Sequence, residues 1–127
     1  VKNCKFLRIE SNGNAAVLMS HSSQQTLVIY YIECEFSHNK SKRAVVYGKS
    51  QGQLTIYTTR CVFENNFSPS LEIFSSRLFD EDISFENNQS ISLAGMVVLS
   101  NSKATLNGTK FIRNVSSLNS STVRIIC

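Results

Sequence analysis

The sequence predicts an all-β chain wound as a right-handed parallel β-helix, a solenoid of about five coils with three short strands in each. Three observations predict it. First, one phrase recurs, with Phe6, Phe36, Phe63, Phe85 and Phe111 standing at gaps of 30, 27, 22 and 26 residues. Second, the last four are followed three residues later by asparagine, at Asn39, Asn66, Asn88 and Asn114, while Ile9 takes that place in the first unit. Third, the segments between are short β-branched and aromatic runs bounded by Ser, Asn and Gly. None sustains apolar spacing of three and four for the length a helix needs. An antiparallel sandwich also accommodates strands every 8–12 residues, but it gives no reason for one phrase to recur at one point.

Each unit opens on a Cys-x-Phe strand, with Cys4, Cys34 and Cys61 in the first three units and then Ile83 and Thr109 in that place. A second apolar run follows at residues 15–19, 44–47, 71–74, 96–99 and 123–126. A third precedes the next phenylalanine, at 27–32, 54–57, 78–79 and 104–106. Coils stacked in register at about 4.8 Å turn equivalent residues into files. Six positions before each phenylalanine lie Tyr30, Tyr57, Phe79 and Thr105, a stacked aromatic file. Three positions before lie Glu33, Arg60 and Asp82, whose alternating charges attract across neighbouring strands. The cysteines share the inward side of the phenylalanines, because strand side chains two apart face one way. Asn39, Asn66, Asn88 and Asn114 fall where the Phe strand must turn. Asparagine tolerates left-handed backbone and can pass amide hydrogen bonds from coil to coil.

These Phe-x-x-Asn phrases resemble the repeat of the chlamydial polymorphic outer-membrane proteins and related right-handed β-helix adhesins of the pectin-lyase-like superfamily. The resemblance spans about Cys4 to Asn114. That family's companion Gly-Gly-Ala-(Ile/Leu/Val) motif is not intact here, its nearest echoes being Asn14-Ala15-Ala16-Val17 and Ala94-Gly95-Met96-Val97. The resemblance implies a surface-displayed stalk or adhesive passenger, not a catalyst.

Composition sets the outer bounds. With 127 residues, the chain reads as one β-helix segment, 1–127, an excerpt of a longer solenoid. Ser, Thr and Asn together number 39 while charged residues reach only 17%, so the polar surface is made of hydroxyls and amides. A net charge of +4, scattered along the chain, gives no nucleic-acid footprint. Apolar runs stop at about six residues, far below the ~20 of a membrane span. Val1 opens no signal-peptide pattern. No polar capping unit is evident at either end, so flanking coils of the parent chain or end-to-end copies are the expected partners.

Six Asn-x-Ser/Thr sequons occur, at Asn39, Asn66, Asn88, Asn107, Asn114 and Asn119, where a random arrangement of this composition gives about three. Four of them are the ladder asparagines, whose amides are needed inward. Asn107, in an Asn-Gly-Thr turn, and Asn119, in a serine-rich loop, are therefore the first glycosylation candidates. The cysteines show no Cys-x-x-Cys and no Cys/His cluster, so no zinc site is expected. Stacking in one column permits a disulfide by distance but suits buried, inert thiols better by direction. Cys127 reads as inward-facing on the last run.

The triplet Asp80-Glu81-Asp82 is the one carboxylate cluster, and it reads as a solvated turn rather than as paired acids for polysaccharide cleavage. The Arg-Ile-Lys and Asn-Thr-Asp phrases of pectin-degrading relatives are missing. His38, Lys40, Lys42, Arg43 and Lys49 form a basic stretch able to hold an acidic glycan or simply to be a soluble loop. His21 and His38 stand far apart with no nucleophile phrase. The resulting expectation is a non-catalytic, cofactor-free structural or adhesive segment of a larger secreted or cell-surface glycoprotein, filament-forming stalks included. Surface glycans or proteins are its possible ligands. The alternative is a carbohydrate-active enzyme or an acidic-glycan-binding module on the same fold.

Overall fold

In the computed structural model, the described residues are 1–21, 25–90, 97–116 and 123–126, with side chains described over 1–17, 25–50, 53–90, 97–116 and at 123. Among them there are fourteen strands and no helix. The first coil holds β1 (Lys5–Leu7), β2 (Ala15–His21) and β3 (Thr26–Ile32). The second holds β4 (Glu35–Ser37) and β5 (Ala44–Thr59), and the third β6 (Val62–Glu64) and β7 (Leu71–Glu81). In the fourth lie β8 (Ser84–Glu86), β9 (Gln89–Ser90), β10 (Val97–Ser100) and β11 (Lys103–Asn107). Last come β12 (Lys110–Ile112), β13 (Val115–Ser116) and β14 (Val123–Ile126).

Every strand pairing is parallel and joins one coil to the next, which makes a parallel β-solenoid. The short Phe strands form one sheet in the order β1-β4-β6-β8-β12. Five strands bound four intervals, so the chain makes about four turns rather than the five coils expected. A second correction concerns the strand count. The runs at 44–47 and 54–57 are one strand, β5, and those at 71–74 and 78–79 are one strand, β7. Their junctions keep pairing with the next coil, with a register shift between Lys49 and Leu54 that absorbs the extra residues of the second coil.

The phenylalanines stand in one file. Phe6, Phe36, Phe63, Phe85 and Phe111 are register partners in successive strands. Ring centroids lie 4.8, 4.4, 5.1 and 4.9 Å apart, with neighbouring planes within 20° of parallel. The spacing is that of the coils themselves, so backbone pairing and ring stacking reinforce each other. Tyr31 meets Phe6 and Phe36 edge-on, and Leu54, Ile56, Leu71, Ile73, Leu78, Val97 and Leu99 complete the core. Each fully buried side chain of this size contributes about 1.5–3 kcal/mol.

Two corners bracket each Phe strand, and both use left-handed backbone. Before it stand Asn3, Glu33, Arg60, Asp82 and Gly108, with φ between 49° and 64°. After it stand Arg8, His38, Asn65, Asn87 and Arg113, with φ between 49° and 57°. The ladder asparagines are therefore not the left-handed residues; the residue before each one is. Non-glycine residues pay roughly 1–2 kcal/mol for this conformation, and the fold offsets it by hydrogen bonding. The amide N–H groups of Glu33, Arg60 and Asp82 donate to Thr59, Glu81 and Asn107 in the next coil at 2.9 Å. At Gly108 glycine is required twice, because φ is +64° and a Cβ would run into the Asp82 carboxylate.

Candidate functional site

The inward files are structural. Asn39, Asn66 and Asn88 are completely buried. The Asn66 side-chain nitrogen donates to the Phe36 carbonyl at 2.9 Å and to Asn88 Oδ1 at 2.9 Å, and its own Oδ1 accepts from the Asn39 N–H at 2.9 Å. Asn88 repeats the pattern with Phe63 and Asn114, and Asn114 donates to Phe85 at 2.7 Å. Even the exceptional first unit joins in, since the Ile9 N–H donates to Asn39 Oδ1 at 2.9 Å. These amides satisfy turn groups that would otherwise be stranded inside, and they leave no hydrogen on Asn66 Nδ2 for a glycan.

The serines of the same sequons form a second buried file. Ser41 and Ser68 are buried, the Ser41 N–H donates to Ser68 Oγ at 3.2 Å, and Ser41 Oγ donates to the Ala44 carbonyl at 2.6 Å. Ser90 and Ser116 continue it as register partners in β9 and β13. Much of the sequon excess is thus two interior ladders two residues apart. Of the other sequons, Asn107 is exposed at the end of β11, and Asn119 lies outside the described residues.

Cys4, Cys34 and Cys61 are unbridged; the last two are buried, and Cys127 lies outside the described residues. The Cys34 N–H donates to Cys61 Sγ at 3.5 Å, and the Cys61 thiol donates to the Tyr31 carbonyl at 3.4 Å. Burial pushes the Cys61 thiol up to about 11, far from a reactive thiolate.

The acidic triplet does not form a solvated turn. Asp80 sits in β7 and follows Leu78 inward at the period of two, whereas Glu81 and Asp82 point outward. Asp80 Oδ1 accepts the Thr58 hydroxyl, Oδ2 has no partner, and burial pushes the carboxyl up to about 6 against the hydroxyl's opposing pull. A carboxyl only 3% exposed cannot reach a polymer. The basic stretch is also partly consumed. Lys40 pairs with Glu10 at 3.0 Å and Arg43 with the buried Glu72 at 2.6 Å, its guanidinium 5.1 and 5.2 Å from the ring centres of Tyr47 and Phe74. Of the remainder, His38 is an exposed corner residue, and the His21 side chain lies outside the described residues.

The outward side of β3, β5, β7 and β11 is different. There Tyr30, Tyr57 and Phe79 stack with centroids 4.9 Å apart and planes within 12°, in register with Thr105. Tyr30 is 51% and Phe79 36% exposed, so the rings present their edges and the tyrosines their hydroxyls. One file to the side run Val28, Thr55, Arg77 and Lys103. On the other side run Thr59, Glu81 and Asn107. A groove of about 240 Å³ opens beside the aromatic file, lined among others by Gln53, Thr55, Ser75, Arg77, Asn101 and Lys103. It forms where Ser75 and Asn101 take φ of 49° and 47°, a third left-handed corner that bends the chain between β10 and β11 and within β7. Sequence reasoning found the aromatic file but not this groove, because the bend joining two runs carries no glycine or proline signal.

Among the described residues no group of three or more His, Cys, Asp or Glu side chains is placed to hold a metal ion, and no helix is long and apolar enough to cross a membrane. The chain matches no family model, and no curated protein or solved structure aligns with it significantly.

Proposed function

We propose that the chain is a non-catalytic β-solenoid segment of a secreted or cell-surface protein, a stalk whose outward sheet face serves as an adhesive surface toward glycans. The observation that carries this reading is the exposed, stacked Tyr30–Tyr57–Phe79 file on the outward sheet face, flanked by Thr55, Thr59 and Asn107 as well as by Arg77, Lys103 and Glu81. Hydroxyls and amides of that kind match sugar hydroxyls, and rigid aromatic edges give contact area at low entropic cost. Exposed apolar surface grouped on one face marks an interaction site rather than scatter. The Phe-x-x-Asn resemblance to β-helix adhesins agrees with this reading, as does the exposed sequon at Asn107.

The reading is tested by coating beads with the chain and measuring attachment to cell layers. Tyr30→Ser, Tyr57→Ser and Phe79→Ser together should abolish attachment while leaving the fold intact. Beads that never attach, or that attach equally after the triple change, overturn the adhesive role. The inward turn of Asp80 weighs against the enzymatic alternative. Turnover of pectin, alginate or chondroitin that disappeared with Asp80→Asn or Glu81→Gln would favour that alternative instead.

A further inference from the structure

Among the described residues, four ion pairs join neighbouring coils. Lys5 bonds Glu35 at 2.8 Å, Lys40 bonds Glu10, Arg43 bonds Glu72, and Arg60 bonds Glu33 at 2.6 Å. Among the described residues, two registered rungs instead carry like charges, Glu64 with Glu86 and Arg77 with Lys103. In the first, Glu86 takes the Ser84 hydroxyl as a partner. In the second, both side chains are exposed, and among the described residues neither has a hydrogen-bond or ion-pair partner. Like charges directly opposite on neighbouring strands are destabilising, so this rung carries a cost that an anion would relieve.

The rung also sits in the right surroundings. Arg77 and Lys103 line the 240 Å³ groove together with Gln53, Thr55, Ser75 and Asn101, all neutral hydrogen-bonding side chains. A groove of about 500 Å³ beside the Phe sheet contains Lys5 and Arg60, paired with Glu35 and Glu33, together with Glu64. Another, of about 310 Å³, sets Lys110 beside Asp82 and Glu86. The groove of Arg77 and Lys103 is lined by two cations and no carboxylate.

We infer that this groove is a binding site for an anionic polysaccharide, with a carboxylate or sulfate seated between Arg77 and Lys103 and the adjoining sugar rings lying along Tyr57 and Phe79. Arginine supplies a planar fork for the anion, and lysine a mobile second charge. The neutral side chains take sugar hydroxyls. A nucleic acid fits less well, because a phosphate at every residue would meet Glu81, one file beyond the aromatic rings, and the corner carboxylates of Glu33 and Asp82. A polysaccharide can place its charges at intervals and its hydroxyls between them. The inference rests on the adhesive reading above and names the chemistry of its ligand.

Surface plasmon resonance on the immobilised chain tests it, with hyaluronan (a carboxylate on every second sugar), keratan sulfate (sulfated, without carboxylates), neutral dextran and single-stranded polynucleotide as probes. At least one anionic polysaccharide should bind, and rising salt should weaken it. The hyaluronan and keratan sulfate arms tell carboxylate from sulfate. Arg77→Gln and Lys103→Gln should each lower affinity about tenfold while the melting temperature holds or rises, because each relieves the like-charge rung. Lys42→Gln, which removes an exposed charge in the turn before β5, should change it less than twofold. Binding of neither anionic polymer, equal loss with Lys42→Gln, equal binding of neutral dextran, or tighter binding of polynucleotide would each overturn the inference. If the anionic site fails while bead attachment still depends on Tyr30, Tyr57 and Phe79, the adhesive role stands without it. If attachment fails too, both fall.

Discussion

The side-chain nitrogen of Asn66 donates to the backbone carbonyl of Phe36, one coil earlier, at 2.9 Å, and both residues are completely buried. The bond holds the turn after one Phe strand to the strand beneath it. Asn66→Ala would strand that carbonyl and the Asn39 N–H in the core, so we expect a loss of about 2–4 kcal/mol. Urea unfolding measures it. An effect below the cost of an ordinary surface change would mean the amide file does not hold the coils together.

Interior and exterior aromatic files should differ sharply. Phe63→Ala opens a cavity between two stacked rings and is expected to cost about 3–5 kcal/mol. Tyr57→Ala removes a partly exposed ring from the outer face and should cost about 1 kcal/mol. The comparison by thermal and chemical unfolding reads packing directly, because each residue stacks between two rings of its own file. Equal losses would contradict the assignment of an inner and an outer file.

Burial of Asp80 makes stability depend on pH. Its carboxyl titrates at about 6 in the fold against an ordinary value of 3.8, so the folded chain holds the proton more tightly than the unfolded chain. That contribution is fully present below about pH 4 and is lost as pH rises through 6, amounting to about 3 kcal/mol. Asp80→Asn removes the titration and still accepts the Thr58 hydroxyl. The stability difference between the two proteins, measured from pH 4 to 8, should grow in favour of the variant. Parallel profiles would show that Asp80 is not held protonated.

Glycans, where a host adds them, should segregate. Expressed through a eukaryotic secretory pathway, the folded chain should carry one at Asn107 and none at Asn39, Asn66 or Asn88, because the ladder amides are buried and donating. Asn107→Gln would then remove the corresponding mass shift. Peptide mapping that finds a folded species modified at Asn66 would be incompatible with the amide ladder.

Much of the architecture was legible along the chain. Phe6, Phe36, Phe63, Phe85 and Phe111 announced the stack because a solenoid repeats its environment, and a repeated environment selects the same side chain. The cysteines and the Phe-x-x-Asn asparagines were legible for the same reason. Several left-handed corners were not, since Arg8, Glu33 and Arg60 carry no turn preference and adopt positive φ where the next coil accepts their N–H groups. Asp80 misled for a related reason. Its neighbours in sequence are acidic and exposed, but the strand's alternation, continuing from Leu78, turns it inward.

The sequence by itself determined the repeat, the coil length and which residues share a file, because those depend on period alone. Only the tertiary structure decided which charges find partners. Pairing depends on the neighbour one coil away, and the bends within a coil set that neighbour. Arg43 and Glu72 lie 29 positions apart and meet at 2.6 Å. Arg77 and Lys103 lie 26 apart and face each other as like charges in paired strands, at the edge of one groove.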